Sequence, residues 1–164
     1  MPALSIEKGA YTYSNQQPWK ISSQDERVAR HVIEVVDGDN VAQLVNEQQS
    51  LRLLVQDSLT QAWVDNQLKV DQNSDYKLDI KLVKVLATVT EASVSYDVSS
   101  QMMIKVALTH NGKAFIKLFR SNKQWNSAFS TNISNITERL NKQLSFLLIQ
   151  IVEDQELNSQ MQKF

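Results

Sequence analysis

Asn111-Gly112 restricts this chain more than any other feature, because it lies between two long runs of alternating apolar and polar side chains. Both residues tolerate positive φ, as a type I′ turn requires, and the twist of that turn suits the strands it joins. With Asn111-Gly112 as the loop, His110 sits opposite Lys113 and the register follows outward. Leu108 is then predicted to face Phe115, Val106 to face Lys117, Ile104 to face Phe119 and Met102 to face Ser121.

The upstream run supports this register. Val94, Tyr96, Val98, Met102, Ile104, Val106 and Leu108 share one parity, while Ser95, Asp97, Ser99, Lys105 and Thr109 share the other. A period of two buries one face and wets the other, and a slip of one residue would put the apolar set into water. The run before it, about Lys77 to Glu91, changes phase: Leu78, Ile80 and Leu82 fall on one parity, Val83, Val85, Ala87 and Val89 on the other. Either a β-bulge at Leu82-Val83 keeps both sets inward, or both faces are partly covered. Tyr76 to Trp125 thus reads as a three-stranded meander.

The rest of the chain supplies what covers it. Residues 1–18, with Pro2, Gly9 and Pro18, read as an extended N-terminal tether that Tyr11, Tyr13 and Trp19 would pin down. Short strands are predicted at Trp19–Gln24 and Val41–Val45, with a turn at Asp37–Asn40. Val28–Val36 fits either a helical stripe or extended chain, and its β-branched richness favours a strand. A helix from about Ser50 to Asn66 carries Leu51, Leu54, Val55, Leu59, Ala62 and Trp63 on one stripe. Leu68–Val70 reads as a short strand and Asp71–Asp75 as a polar link. After a break at Ser127–Ser130, a second helix runs from Thr131 or Asn132 to Asp154, with Asn135-Ile-Thr-Glu138 resembling a capping box. Phe146, Leu148, Ile149 and Val152 should widen its apolar face, and residues 155–164 read as a polar, frayed tail. The expected fold is α+β: one domain over residues 19–154, with a mostly antiparallel sheet built from the meander and short N-terminal strands. Two amphipathic helices pack on one face of it.

Chemistry is less legible. The net charge of -1 lacks the basic excess of a nucleic-acid binder. The absence of cysteine excludes disulfides, thiolate metal sites and a cysteine nucleophile within this sequence. No apolar run approaches the roughly 20 residues that span a bilayer, and no signal peptide is read in Met1-Pro2-Ala3 and the polar segment after it. His31 and His110 have no second ligand at metal-binding spacing, so each reads as an ordinary surface or turn histidine. Asp71, Asp75 and Asp79 recur at every fourth position, but a calcium loop needs a glycine and a glutamate that are missing here. No nucleophile elbow, phosphate loop, dinucleotide fingerprint or zinc-protease motif occurs. No catalytic, cofactor-binding or metal-binding residue is therefore assigned, no cofactor is expected, and an enzyme is not the expected class. Asn132-Ile-Ser134 and Asn135-Ile-Thr137 match the glycosylation sequon but read better as capping chemistry at a helix start. Lys81, Lys84, Lys105, Lys113, Lys117, Arg120 and Lys123 lie on the meander and could form one basic face for anionic headgroups or glycan. Solvation and protection of sheet edges is their more ordinary role.

The block Leu51-Arg-Leu-Leu-Val-Gln-Asp-Ser-Leu59, the alternating run through Asn111-Gly112 and the C-terminal amphipathic helix, with Asp25, Arg27 and Asn40, resemble the YajG-type lipoproteins of Gram-negative bacteria. The resemblance spans about residues 19–155. It implies a domain on the periplasmic face of the outer membrane, anchored by an acylated cysteine that would precede Met1, and it carries no functional residue over. The expected function is a non-enzymatic binding or accessory module for an envelope protein or other envelope component, without nucleic acid. Two alternatives stand beside it. One is a carrier of small apolar ligands, with Met102, Met103 and Phe146 lining a pocket between sheet and helices. The other is a module that self-associates through sheet edges.

Overall fold

The computed structural model describes residues 12–13, 17–92, 95–128 and 132–164. The described elements are β1 (Lys20–Asp25), β2 (His31–Val36), β3 (Gln43–Asn46), α1 (Leu51–Asp65), β4 (Lys77–Glu91), β5 (Ser95–His110), β6 (Lys113–Ala128), α2 (Ile133–Val152) and α3 (Gln155–Lys163).

The hairpin register is the one read from the Asn-Gly corner: His110 pairs with Lys113, Leu108 with Phe115, Ile104 with Phe119 and Met102 with Ser121. Asn111 (φ 47°) and Gly112 (φ 76°) both take the positive φ of a type I′ turn. On β5, Tyr96, Val98, Met102, Ile104, Val106 and Leu108 are all buried; Val94 lies outside the described residues. The phase change in β4 is a bulge. The β4–β5 register shifts between Leu82 and Lys84, so Leu78, Ile80 and Leu82 before it and Val85, Ala87 and Val89 after it all reach the core.

The bulge also divides the far edge of β4. β1 runs parallel to the first half, from Lys20 opposite Lys77 to Asp25 opposite Leu82. β2 runs parallel to the second half, from Ile33 opposite Ala87 to Val36 opposite Thr90. The six-stranded sheet is mostly antiparallel, in the order β3-β2-β4-β5-β6 with β1 also on β4. Of the expected strand at Leu68–Val70, only a single bridge from Val70 to Trp19 forms.

Local chemistry sets the helix ends. The Ser50 hydroxyl accepts from the Leu53 N–H and caps α1. At the other end Gln67 takes a positive φ of 72°. The Leu68 N–H then reaches the Trp63 carbonyl at 2.9 Å and the Gln67 N–H the Val64 carbonyl at 2.8 Å, a Schellman closure with buried Leu68 and Trp63 at its apolar contact. α2 is capped by Asn132, whose side chain accepts from the Asn135 N–H at 3.2 Å. The Asn135–Glu138 box therefore lies inside the helix, where Glu138 pairs with Lys142 one turn on.

Two expectations about the C-terminal region change. Phe146 does not widen the buried face of α2; it is 59% exposed, while Leu144, Leu147, Leu148 and Ile151 point inward. The segment read as a frayed tail is α3, capped by the Asp154 carboxylate and holding Leu157, Asn158 and Met161 in the core. Its spacing of Leu157 and Met161, one turn apart, is too short to stand out among polar neighbours. Each such large apolar side chain contributes roughly 1.5–3 kcal/mol on burial.

Candidate functional site

The recess that best suits a ligand opens where the second half of β4 meets the helices. After the bulge, Val85 comes onto the helix-covered face beside its β5 partner Met102. A second irregularity, between His31 and Ile33 in the β2–β3 pairing, leaves Val32 out of register. β3 then ends and the chain crosses Glu47–Ser50 to reach α1. The result is a groove of about 360 Å³ walled by Val32, Val45, Leu51, Val85, Met102, Leu140 and Leu144. Asn46, Glu47, Gln48, Gln49, Thr137 and Asn141 form a polar mouth. An apolar wall with a few polar groups at the mouth, in this size range, is the arrangement of a small-ligand pocket.

Behind the mouth sits a buried ion cluster. Arg27 donates to Asp25 through Nε at 2.9 Å and Nη2 at 2.8 Å, and through Nη2 to Glu47 at 2.6 Å. Its side chain is 1% exposed, and Nη1 has no partner among the described residues. Arg30 also pairs with Asp25 from the solvent side. The hydrogen bond from Arg27 holds the Asp25 carboxyl below the usual carboxylate range, burial opposing it only in part. Burial works against the Arg27 charge, yet Asp25 and Glu47 raise its pKa overall. The cluster thus ties the end of β1 to the loop that forms the groove mouth, through the Arg27–Glu47 ion pair.

The remaining sequence candidates disperse. His31 opens β2, whereas His110 stacks on Tyr76 at 3.6 Å between ring centres, with its Nε2 beside the Asn111 amide at 2.9 Å. Asp71 caps its own turn by accepting from the Asn73 N–H at 2.9 Å, and Asp79 accepts from Ser22, so the aspartate series does not converge. Among the described residues no group of metal-ligating side chains comes together.

The single basic face does not exist, and the strand period is the reason. Lys113, Lys117 and Lys123 pair across from His110, Val106 and Ser100, on the helix-covered side. Lys117 binds Asp154 at 2.9 Å and Glu156 at 2.7 Å, which hold its charge with a raised pKa, and Lys123 lies 5.4 Å from the Phe146 ring. Lys81, Lys84, Lys105 and Arg120 face the other way, where Glu26 bridges Lys81 and Lys105. Of the apolar candidates, Met102 does line the groove. Met103 lies on the opposite face of β5, and Phe146 is out on the surface of α2.

Sequence reasoning missed the amide-rich mouth, because Asn46–Gln49 looks like any polar loop. It also missed Gln143, fully buried in α2, which accepts from the Ser100 hydroxyl at 2.6 Å and donates to the Ser121 carbonyl at 3.0 Å. The parity of Ser100 within the apolar set was the available signal.

A family model described as an uncharacterized lipoprotein matches residues 5–162. Among solved structures the chain is similar to protein XCC0632 from Xanthomonas campestris, of family DUF330, with 15% identity over 97% of this chain and 96% of that one and a TM-score of 0.59. That likeness is one of fold. Rare lipoprotein B from Shewanella oneidensis is 14% identical over 80% of this chain and 94% of its own, with a TM-score of 0.34. No curated protein matches the chain in sequence.

Proposed function

The chain belongs to the uncharacterized lipoprotein family whose model spans it, and from that premise we propose that it is a non-enzymatic module that holds another envelope component in its groove. Membership of a lipoprotein family implies a membrane-anchored envelope protein, and no described helix is long and apolar enough to cross a membrane. The finer placement we propose is the periplasmic face of the outer membrane, reached through an N-terminal lipid.

The observation that carries the binding role is the groove itself. Its walls come from both large helices and from four strands, so its shape is fixed by the core rather than by mobile loops. The one carboxylate at its mouth, Glu47, is already held by Arg27. A photo-crosslinking residue in place of Gln48, in cells, tests the reading. One discrete adduct, lost when Thr137→Trp fills the mouth, supports it. Crosslinks that survive the filled groove overturn it.

The apolar walls favour a second reading, a carrier of small apolar ligands. Native mass spectrometry of protein purified from its own envelope decides between them: a bound amphiphile of defined mass, displaced by Thr137→Trp, replaces the protein partner as occupant.

A further inference from the structure

β6 is the outermost strand of the sheet on its side, paired to β5 along its whole length and, among the described residues, to nothing beyond. The type I′ turn fixes which of its backbone groups are free. The turn closes on the His110–Lys113 pair, and hydrogen-bonded and non-hydrogen-bonded pairs then alternate. Every second residue from Ala114 to Asn126 therefore turns its N–H and C=O outward, away from β5. This makes a long ladder of unpaired backbone groups, the feature by which an extended segment adds to a sheet.

The charge on this strand is one-sided. Between Lys113 and Ala128 there are Lys113, Lys117, Arg120 and Lys123 and no acidic residue. Lys117 is engaged by α3, but Lys113 and Arg120 have no ion pair among the described residues and Lys123 meets only the Phe146 ring. Ile116 is 62% exposed on one side of the ladder and Phe146 is 59% exposed on the other. A second copy of β6 would set cation against cation, and like charges on neighbouring strands are destabilising. The lysines that keep a second copy away are the same charges that attract an acidic strand.

We infer that the β6 edge is a docking surface for an acidic, extended segment of a partner protein, which adds as a further strand. Its alternate side chains would meet Ile116 and Arg120 on one face, and Lys123 and Phe146 on the other. This surface is separate from the groove and does not depend on what the groove holds.

The test uses a peptide of about ten residues, the length of a long strand, alternating glutamate with threonine or valine, and a second peptide with lysine for glutamate. Fluorescence anisotropy and backbone amide NMR read the binding. The expected result is at least about tenfold preference for the acidic peptide, weakening as salt screens the charges, with amide shifts at Ile116, Leu118 and Arg120. Ile116→Pro removes an outward N–H without touching the β5 ladder and should abolish binding. If that variant does not fold, Arg120→Glu combined with Lys123→Glu should reverse the peptide preference. No binding by the acidic peptide, equal binding of both peptides, amide shifts confined to the groove, or a β6-mediated dimer in sedimentation would each overturn the inference.

Discussion

The two halves of β4 share one strand and one sheet face, yet they meet different surroundings. Beside the first half the helix-covered face is closely packed. Trp19 packs edge-on to Tyr76 at 5.6 Å and against Phe164 at 6.2 Å. Tyr13 hydrogen-bonds through its backbone to Asn66 and through its hydroxyl to buried Asn158. Trp63 and Leu59 of α1 and Leu157 of α3 are fully buried. Beside the second half the same face ends in the groove, with Val32, Leu51, Val85 and Leu140 as its walls. The bulge lets one strand serve both ends: it restores the inward phase and marks where β1 gives way to β2. Stability is therefore expected to concentrate at the sealed end, which leaves the other free to keep an open recess.

The largest effect should come from the sealed end. Trp63→Ala removes a fully buried indole and should cost about 3–5 kcal/mol, whereas Leu140→Ala at the groove wall should cost about 2 kcal/mol because its cavity opens into existing space. Denaturant titrations of the two variants compare them directly. Equal losses would break the contrast between the ends.

Arg27 marks the seam between the ends, and Arg27→Met should cost about 3 kcal/mol, since it removes the only ion-pair partner of Glu47 among the described residues and leaves Asp25 with the exposed Arg30 alone. The same cluster gives an acid signature. Asp25 has a lowered folded-state pKa, so its contribution is fully present above the unfolded carboxylate value of about 4 and is lost as pH falls through the folded value. Urea midpoints measured from pH 6 downward should fall below about pH 4, and Arg27→Met should flatten that slope. An unchanged slope in the variant would move the acid sensitivity to other carboxylates.

What could be read from the sequence divides along similar lines. The hairpin register, the phase change in β4 and both long helices follow from local rules: turn chemistry at Asn111-Gly112, parity along β4 and β5, and helical spacing. Parity alone leaves a bulge and two-sided covering both open, and the pairing with β5 decides for the bulge. The groove does not, because it depends on where β2 and β3 arrive, and nothing in Asn46–Gln49 distinguishes a binding mouth from a solvated loop. α3 escaped notice for a related reason: its docking is decided by a tertiary slot rather than by its own composition. The basic residues on the meander do not share one face, because strand parity puts Lys117 and Lys123 on the opposite side from Lys81 and Arg120, and a solvating role is the reading the sequence favours.

A gain of stability should be available at the sealed end without disturbing the other. Gln67 holds a left-handed conformation in the α1 closure, where glycine fits without strain. Gln67→Gly should add about 1 kcal/mol, seen as a higher denaturant midpoint at an unchanged transition slope. A loss would mean that the Gln67 side chain carries an interaction worth more than the backbone strain.

The smallest effect on stability should accompany the clearest effect on binding. Thr137 is exposed on α2 at the groove mouth. Leucine is the better helix former, so Thr137→Leu should alter stability by no more than about 0.5 kcal/mol, in the stabilising direction. It also narrows the recess, so the Gln48 crosslink should weaken several-fold. Gln61→Leu, at an exposed position on α1 outside the groove, is the matched control and should leave the crosslink intact. If both variants bind as the parent does, the open end is only a gap in packing. If only Thr137→Leu loses its partner while remaining as stable as the parent, the groove binds without helping to hold the fold together.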